Sequence, residues 1–202
     1  MFSVGERVVH PGQGLCTVVG FQDSPAPMLI LETGSGRGAT RLMYPAAQAE
    51  KNLHPPVGRE EALAVIDGYA DLACDTFTDR NSGLEESHFK KLLKHGVPDS
   101  VLVVKTMRAR IAEAEADSKK PSSYLIRVLR DARDRSLEEL ACALDTTPED
   151  VEAMFASRGH SLGDEWRGWR TPLASCLPSP RASRVSRFLR QRSPRRGGLG
   201  TP

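Results

Sequence analysis

The spacing of apolar residues changes once along this chain, near residue 55, and that change separates two kinds of folding unit. Before it, short strand-forming runs alternate with turn signals. "SVGERVV" and "LCTVVGF" flank the tight sequence "HPGQG", "MLILET" follows a proline-rich loop at 25–27, and "ATRLMY" follows the glycine-rich link "GSGRG". Four such runs in so short a stretch predict a small, strongly bent sheet or half-barrel. Gly12, Gly14, Gly34 and Gly36 fall at loop positions, where a positive φ costs glycine least. A unit of this size buries only about 60% of its chain surface, so it must lean on the helical residues beyond it.

After the prolines of "LHPPVG" the period becomes helical. Leu63, Ile66, Tyr69, Leu72 and Ala73 share one face over 59–76, with Glu60 and Glu61 in the first turn, where the helix dipole favours acids. A second helix is predicted over 84–94, stopped by Gly96, and a third from Pro98 through "DSVLVVKTMRARIAEAEA". From Ser122, the apolar series Leu125, Val128, Leu129, Ala132, Leu137, Leu140, Ala141 and Leu144 predicts a long amphipathic helix ending near Asp145. "TTPEDVEAMF" then supplies Thr147 as N-cap, Pro148 at the first position and Asp150 where a capping box needs an acid. The expected fold class is α+β: a small bent sheet domain over 1–55, an all-α bundle of about five helices over 56–156, and a disordered basic tail over 157–202.

Charge follows the same division. From Ser157 onward there are ten Arg, no Lys and two acids, a surplus of eight positive charges, whereas the rest of the chain is acidic by six. The tail is dense in Pro, Gly, Ser and Arg without a lasting period, a composition that does not build a core. Any nucleic-acid contact by the acidic body must therefore be local. No apolar run approaches the ~20 residues that cross a bilayer, and "MFSVGERVVH" has no basic stretch leading into an apolar one, so a cytoplasmic protein without membrane contact is expected.

Catalytic signatures are absent: there is no phosphate-cradling G-x-x-x-x-G-K-[ST], no G-x-G-x-x-G after a strand, no H-E-x-x-H and no G-x-S-x-G. Cys16, Cys74, Cys142 and Cys176 form no CxxC pair, and the five histidines are scattered. Neither a metal site nor a disulfide framework is suggested, and no cofactor or enzymatic activity is expected. Two binding features remain. "SLEELACALDTTPEDVEAMF", within 136–155, has the apolar pattern of a helix-turn-helix, but its second helix displays Glu149, Asp150 and Glu152 and no cation, which phosphates would repel. "LEESHFKKLLKHG" clusters Lys90, Lys91, Lys94 and His95, either a solvated helix end or a DNA-contacting surface.

The motifs "VGERVVHPGQGLCTV" and "MYPAAQAE" resemble the RNA-polymerase-interacting module of CarD-like bacterial transcription regulators, a Tudor-like or SH3-like bent sheet also found in transcription-repair coupling factors. "YLIRVLRDARDRSLEELACALDTTPEDVEAMF" is similar to the helical end of the same family, so the resemblance covers roughly 2–156 and leaves the basic tail outside. It implies docking of the sheet on the RNA polymerase β subunit and placement of the helices against promoter DNA, with effects on open-complex stability and a monomeric, nucleoid-associated protein. By this similarity the docking edge is Arg41, Leu42, Met43, Tyr44 and Pro45. An edge strand can be continued by a partner strand, and Pro45, lacking an N–H, would end the pairing. The family places a tryptophan wedge at the edge of the melted DNA. The matching stretch "DRNSGLEESHF" has none, and Leu84 and Phe89 are the apolar candidates there. Two other readings stay open: a sequence-specific helix-turn-helix protein, and a scaffold whose sheet binds another protein.

Overall fold

The structure, a computed structural model, describes residues 2–23, 25–34 and 39–162. Strands β1 (Arg7–His10), β2 (Gly14–Gln22), β3 (Met28–Thr33) and β4 (Thr40–Pro45) form one antiparallel sheet in the order β1-β2-β3-β4. Alternation puts Val8, Cys16, Val18, Leu29 and Leu31 on one face, where they bury against Ala49 and Leu53. Between Val18 and Gly20 the register slips by one residue, a bulge that adds twist and bend. The bend is strong enough to bring the far strands together. The ring of His10, on β1, meets that of Tyr44, on β4, edge-on at 5.1 Å.

Six helices complete the described chain: α1 (Ala46–Asn52), α2 (Arg59–Asp67), α3 (Ser82–Leu92), α4 (Val97–Ala116), α5 (Ser123–Leu144) and α6 (Pro148–Ser157). Five of them, α2 to α6, build the helical core, while α1 closes the sheet's own small core. α2 is shorter than its apolar spacing predicts because Gly68 caps it and the chain then turns. Fully buried Lys105 holds that turn, its Nζ donating to the carbonyls of Tyr69 and Ala70 at 2.8 Å each. At the other end, Thr147 and Asp150 form the expected capping box, with Pro148 in the first turn of α6. The packed region runs past the expected boundary at Ala156: Leu162 is fully buried in the helical core. The basic tail otherwise lies outside the described residues.

The sheet docks on α5. Arg135 donates from Nη1 to the Pro11 carbonyl at 3.0 Å and from Nη2 to the His10 carbonyl at 3.1 Å. Gly14 has φ +80°, and a β carbon there would stand 3.4 Å from Arg135 Cγ. Val9 and His54 exchange backbone bonds of 2.8 and 3.4 Å, tying β1 to the segment that leads into α2. The opening "HPGQG" is therefore the place where the sheet meets the helical core as well as a turn within the sheet. Its reversal is stabilised locally by His10, whose Nδ1 accepts from the backbone N–H groups of Gly12 and Gln13 at 3.0 and 3.1 Å.

The cysteine spacing, which suggests no disulfide framework, needs correction at one position. Cys16 and Cys142 are free, but Cys74 is disulfide-bonded. Sequence spacing could not reveal this because no second cysteine lies near it in the chain. Among the described residues, no helix is long and apolar enough to cross a membrane.

Candidate functional site

The two edges of the sheet differ. On β1 the outward backbone groups of Val9 are taken by His54. On β4 the hydrogen-bonding pattern is set by Ala46, whose N–H donates to the Pro27 carbonyl at 3.0 Å just past the last strand pair. Bonded and non-bonded pairs alternate in an antiparallel ladder. From the register Leu29↔Tyr44, Leu31↔Leu42 and Thr33↔Thr40, these three pairs exchange the bonds. Arg41 and Met43, opposite Glu32 and Ile30, therefore direct their N–H and C=O groups away from β3, where no described backbone group meets them. Pro45 closes the row, since it has a carbonyl but no N–H.

The five residues of the expected edge thus divide into two sets. Leu42 and Tyr44 turn inward against the sheet's core, and the Tyr44 hydroxyl accepts from Asn52 Nδ2 at 2.8 Å. Arg41 and Met43 turn outward. Met43 is 54% exposed, and Arg41 Nε donates to Glu32 Oε2 at 2.9 Å. Pro45 serves as the N-cap residue of α1. What the edge offers is a short main-chain row, one apolar side chain and one locally neutralised cation.

On the helical side, the cationic cluster is partly paired within the chain. Lys90 Nζ lies 2.7 Å from Glu86 Oε1, and His95 Nδ1 lies 2.9 Å from Asp99 Oδ2. Lys91 and Lys94 are exposed and make no ion pair among the described residues. Lys94 and His95 sit just beyond the end of α3. Lys90 and Lys94 also flank a cleft of about 410 Å³ between the opening turn and α5, whose far wall carries Asp131, Asp134 and Glu138.

Of the two candidate wedges, Phe89 is excluded: it is fully buried in the helical core, because α3 packs the face bearing Glu85, Phe89 and Leu93 inward. Leu84, in the first turn of α3, is exposed. Sequence reasoning missed Phe77. This residue lies in the loop before α3, partly exposed, and stacks on His88 with ring centroids 4.1 Å apart. Its carbonyl accepts from Arg110, and His88 is held in turn by Asp75 at 2.9 Å. Hydrogen bonding from His88 and the Phe77 N–H outweighs burial and holds the Asp75 carboxyl below its usual range. The available signal was a lone aromatic in the polar stretch "CDTFTDRN".

The helix-turn-helix pattern resolves into packing and capping. Leu137, Leu140, Ala141, Leu144, Val151 and Phe155 are buried. Asp150 is spent on the N-cap, its carboxyl held low by bonds from Thr146 and Thr147, and Glu152 pairs with Arg133 at 3.0 Å. α6 itself contains no Lys or Arg.

No protein-family model matches this sequence, and no curated protein matches it either.

Proposed function

We propose that this chain is a CarD-like transcription regulator, a binding protein rather than an enzyme, whose Tudor-like sheet docks on the RNA polymerase β subunit. One observation carries the reading: the chain ties down its β1 edge with His54, while no described backbone group claims the Arg41 and Met43 N–H and C=O groups of β4. A free edge of this kind is a template for another strand. In such pairing, main-chain bonds supply affinity and side-chain contacts supply selectivity. Met43, with Ile30 beside it in the register, provides an apolar contact for the incoming strand, and the Arg41–Glu32 pair keeps the neighbouring position polar but not strongly cationic.

In this reading the helical domain approaches promoter DNA without reading its sequence. Lys91 and Lys94 supply phosphate contacts, and the arginines of the tail add further sequence-blind attraction, each neutralised phosphate steepening the salt dependence by about 0.9. Leu84 and Phe77 stand in place of the family's tryptophan, as apolar groups able to press against a base step. The protein acts as a monomer in the cytoplasm, associated with the nucleoid, and needs no cofactor. The lifetime of open promoter complexes, measured with and without the protein at two salt concentrations, tests this. A changed lifetime that persists at the higher salt supports polymerase-directed action. An unchanged lifetime at both removes the reading.

A further inference from the structure

The junction between sheet and helices contains two buried ionisable side chains that are not satisfied together. Arg135 is only 9% exposed; its two terminal nitrogens serve the carbonyls of His10 and Pro11, while its Nε has no acceptor among the described residues. One turn further along α5, Glu139 is 0% exposed, and among the described residues its carboxylate has no side-chain hydrogen-bond partner, the Val57 amide being the one backbone donor that approaches it. Guanidinium stays charged at any physiological pH. A fully buried carboxylate with so little compensation is costly enough to favour taking up a proton instead. Residues four apart on a helix are within reach of each other, yet Arg135 is turned toward the sheet. The cation engages the two turn carbonyls and leaves Glu139 unpaired with it.

Glu139 lies against the strap that holds the sheet. His54 and the Val57 amide approach it from the segment between α1 and α2, Glu61 from α2, and Arg135 from α5 itself. Arg135 in turn faces the Cys16 thiol of β2 and His10 of the turn. His54 is also the residue whose backbone pairs with Val9.

We propose that Arg135 and Glu139 form a latch that sets whether the sheet domain stays docked on α5. In the closed setting Glu139 keeps its proton, and Arg135 holds the two turn carbonyls as it does in the structure. When Glu139 loses its proton to solvent, an uncompensated anion appears inside the junction, and Arg135 turns along the helix to pair with it. The carbonyls of His10 and Pro11 then lose both donors, and the Val9–His54 strap loosens. Whatever occupies β4, the two domains present themselves as one body in the closed setting and as two in the open one.

Burial holds the Glu139 carboxyl above the ordinary range; His54, the Val57 amide and Arg135 pull it back and Glu61 pushes it further up. A carboxyl raised in the docked state favours docking fully below its free value, about 4.3, and that contribution is lost as pH rises through the raised value. Glu138, raised by burial and by Asp134, acts in the same direction. His10, lowered by burial and by Arg135, acts in the opposite one. A Glu139→Gln variant separates Glu139 from both.

The test is amide hydrogen exchange at Val9 and His54 in the full chain between pH 5 and 8, corrected for intrinsic rates. The wild type should open at least tenfold more at pH 8 than at pH 5, and Glu139→Gln should remove that rise. Equal pH dependence in the two proteins overturns the latch. Should the variant fail to fold, carbon-13 titration of the Glu139 carboxyl in the wild type decides. A midpoint well above about 4.3 that tracks the exchange supports the latch, and an ordinary midpoint overturns it.

Discussion

Arg135 packs its Cγ 3.4 Å from the position a β carbon would take on Gly14, and its guanidinium then reaches over that glycine to the carbonyls of the turn. Gly14 is needed twice, for its φ of +80° and for the closeness of the helix. Gly14→Ala should therefore cost about 1–3 kcal/mol, the usual range for a side chain forced into a sparsely populated backbone region. Urea unfolding followed by circular dichroism checks this, with the loss expected in the midpoint and not in the slope.

Lys105→Met should destabilise the fold by about 1–3 kcal/mol for each carbonyl left without its donor, although methionine fills similar space. The carbonyls at stake belong to Tyr69 and Ala70, in the turn that ends α2. Equilibrium unfolding gives the total, and exchange at the 68–72 amides should show the loss to be local.

Acid should weaken the opening turn through His10. Its Nδ1 accepts two backbone N–H bonds, which requires an unprotonated nitrogen, and burial together with nearby Arg135 lowers its pKa. A histidine lowered in the folded state contributes stability that is complete above its free value of about 6.5 and is lost as pH falls toward the lowered value. His10→Asn, which keeps a short acceptor, should flatten the stability profile between pH 6.5 and 5. A profile matching the wild type would show that His10 does not titrate against the turn.

Much of the helical half was legible because its signals are local. Thr147, Pro148 and Asp150 announce the start of α6 within four residues, and the apolar series from Leu125 to Leu144 shows the inner face of α5 directly. α1 was missed because it is short and begins at Pro45 with no side-chain cap; its place depends on Ala49 and Leu53 packing under the sheet. The excess length expected of α2 came from reading Tyr69, Leu72 and Ala73 as helical. Tyr69 is buried, but by the turn that Lys105 holds, a partner 36 residues away. Arg135 gave no local sign of docking the sheet, since its acceptors lie more than a hundred residues earlier in the chain.

The burial of Phe89 and exposure of Leu84 and Phe77 separate stability from DNA contact. Phe89→Ala should cost about 3–5 kcal/mol as a large-to-small change in a packed core. Leu84→Ala and Phe77→Ala should leave stability within about 1 kcal/mol and shorten open promoter complexes if they press on the DNA. Thermal melts and complex-lifetime assays on the three variants distinguish the two roles.

The most direct test of the docking edge is Met43→Pro. Met43 directs its N–H away from β3, so a proline there removes no bond of the sheet, and edge strands accept proline at such positions. The fold should be kept while the incoming strand loses a main-chain donor and meets the ring. With the purified polymerase β lobe, affinity should fall at least tenfold in the variant while its circular dichroism and melting stay those of the wild type. Equal affinity in a folded Met43→Pro protein would contradict the account.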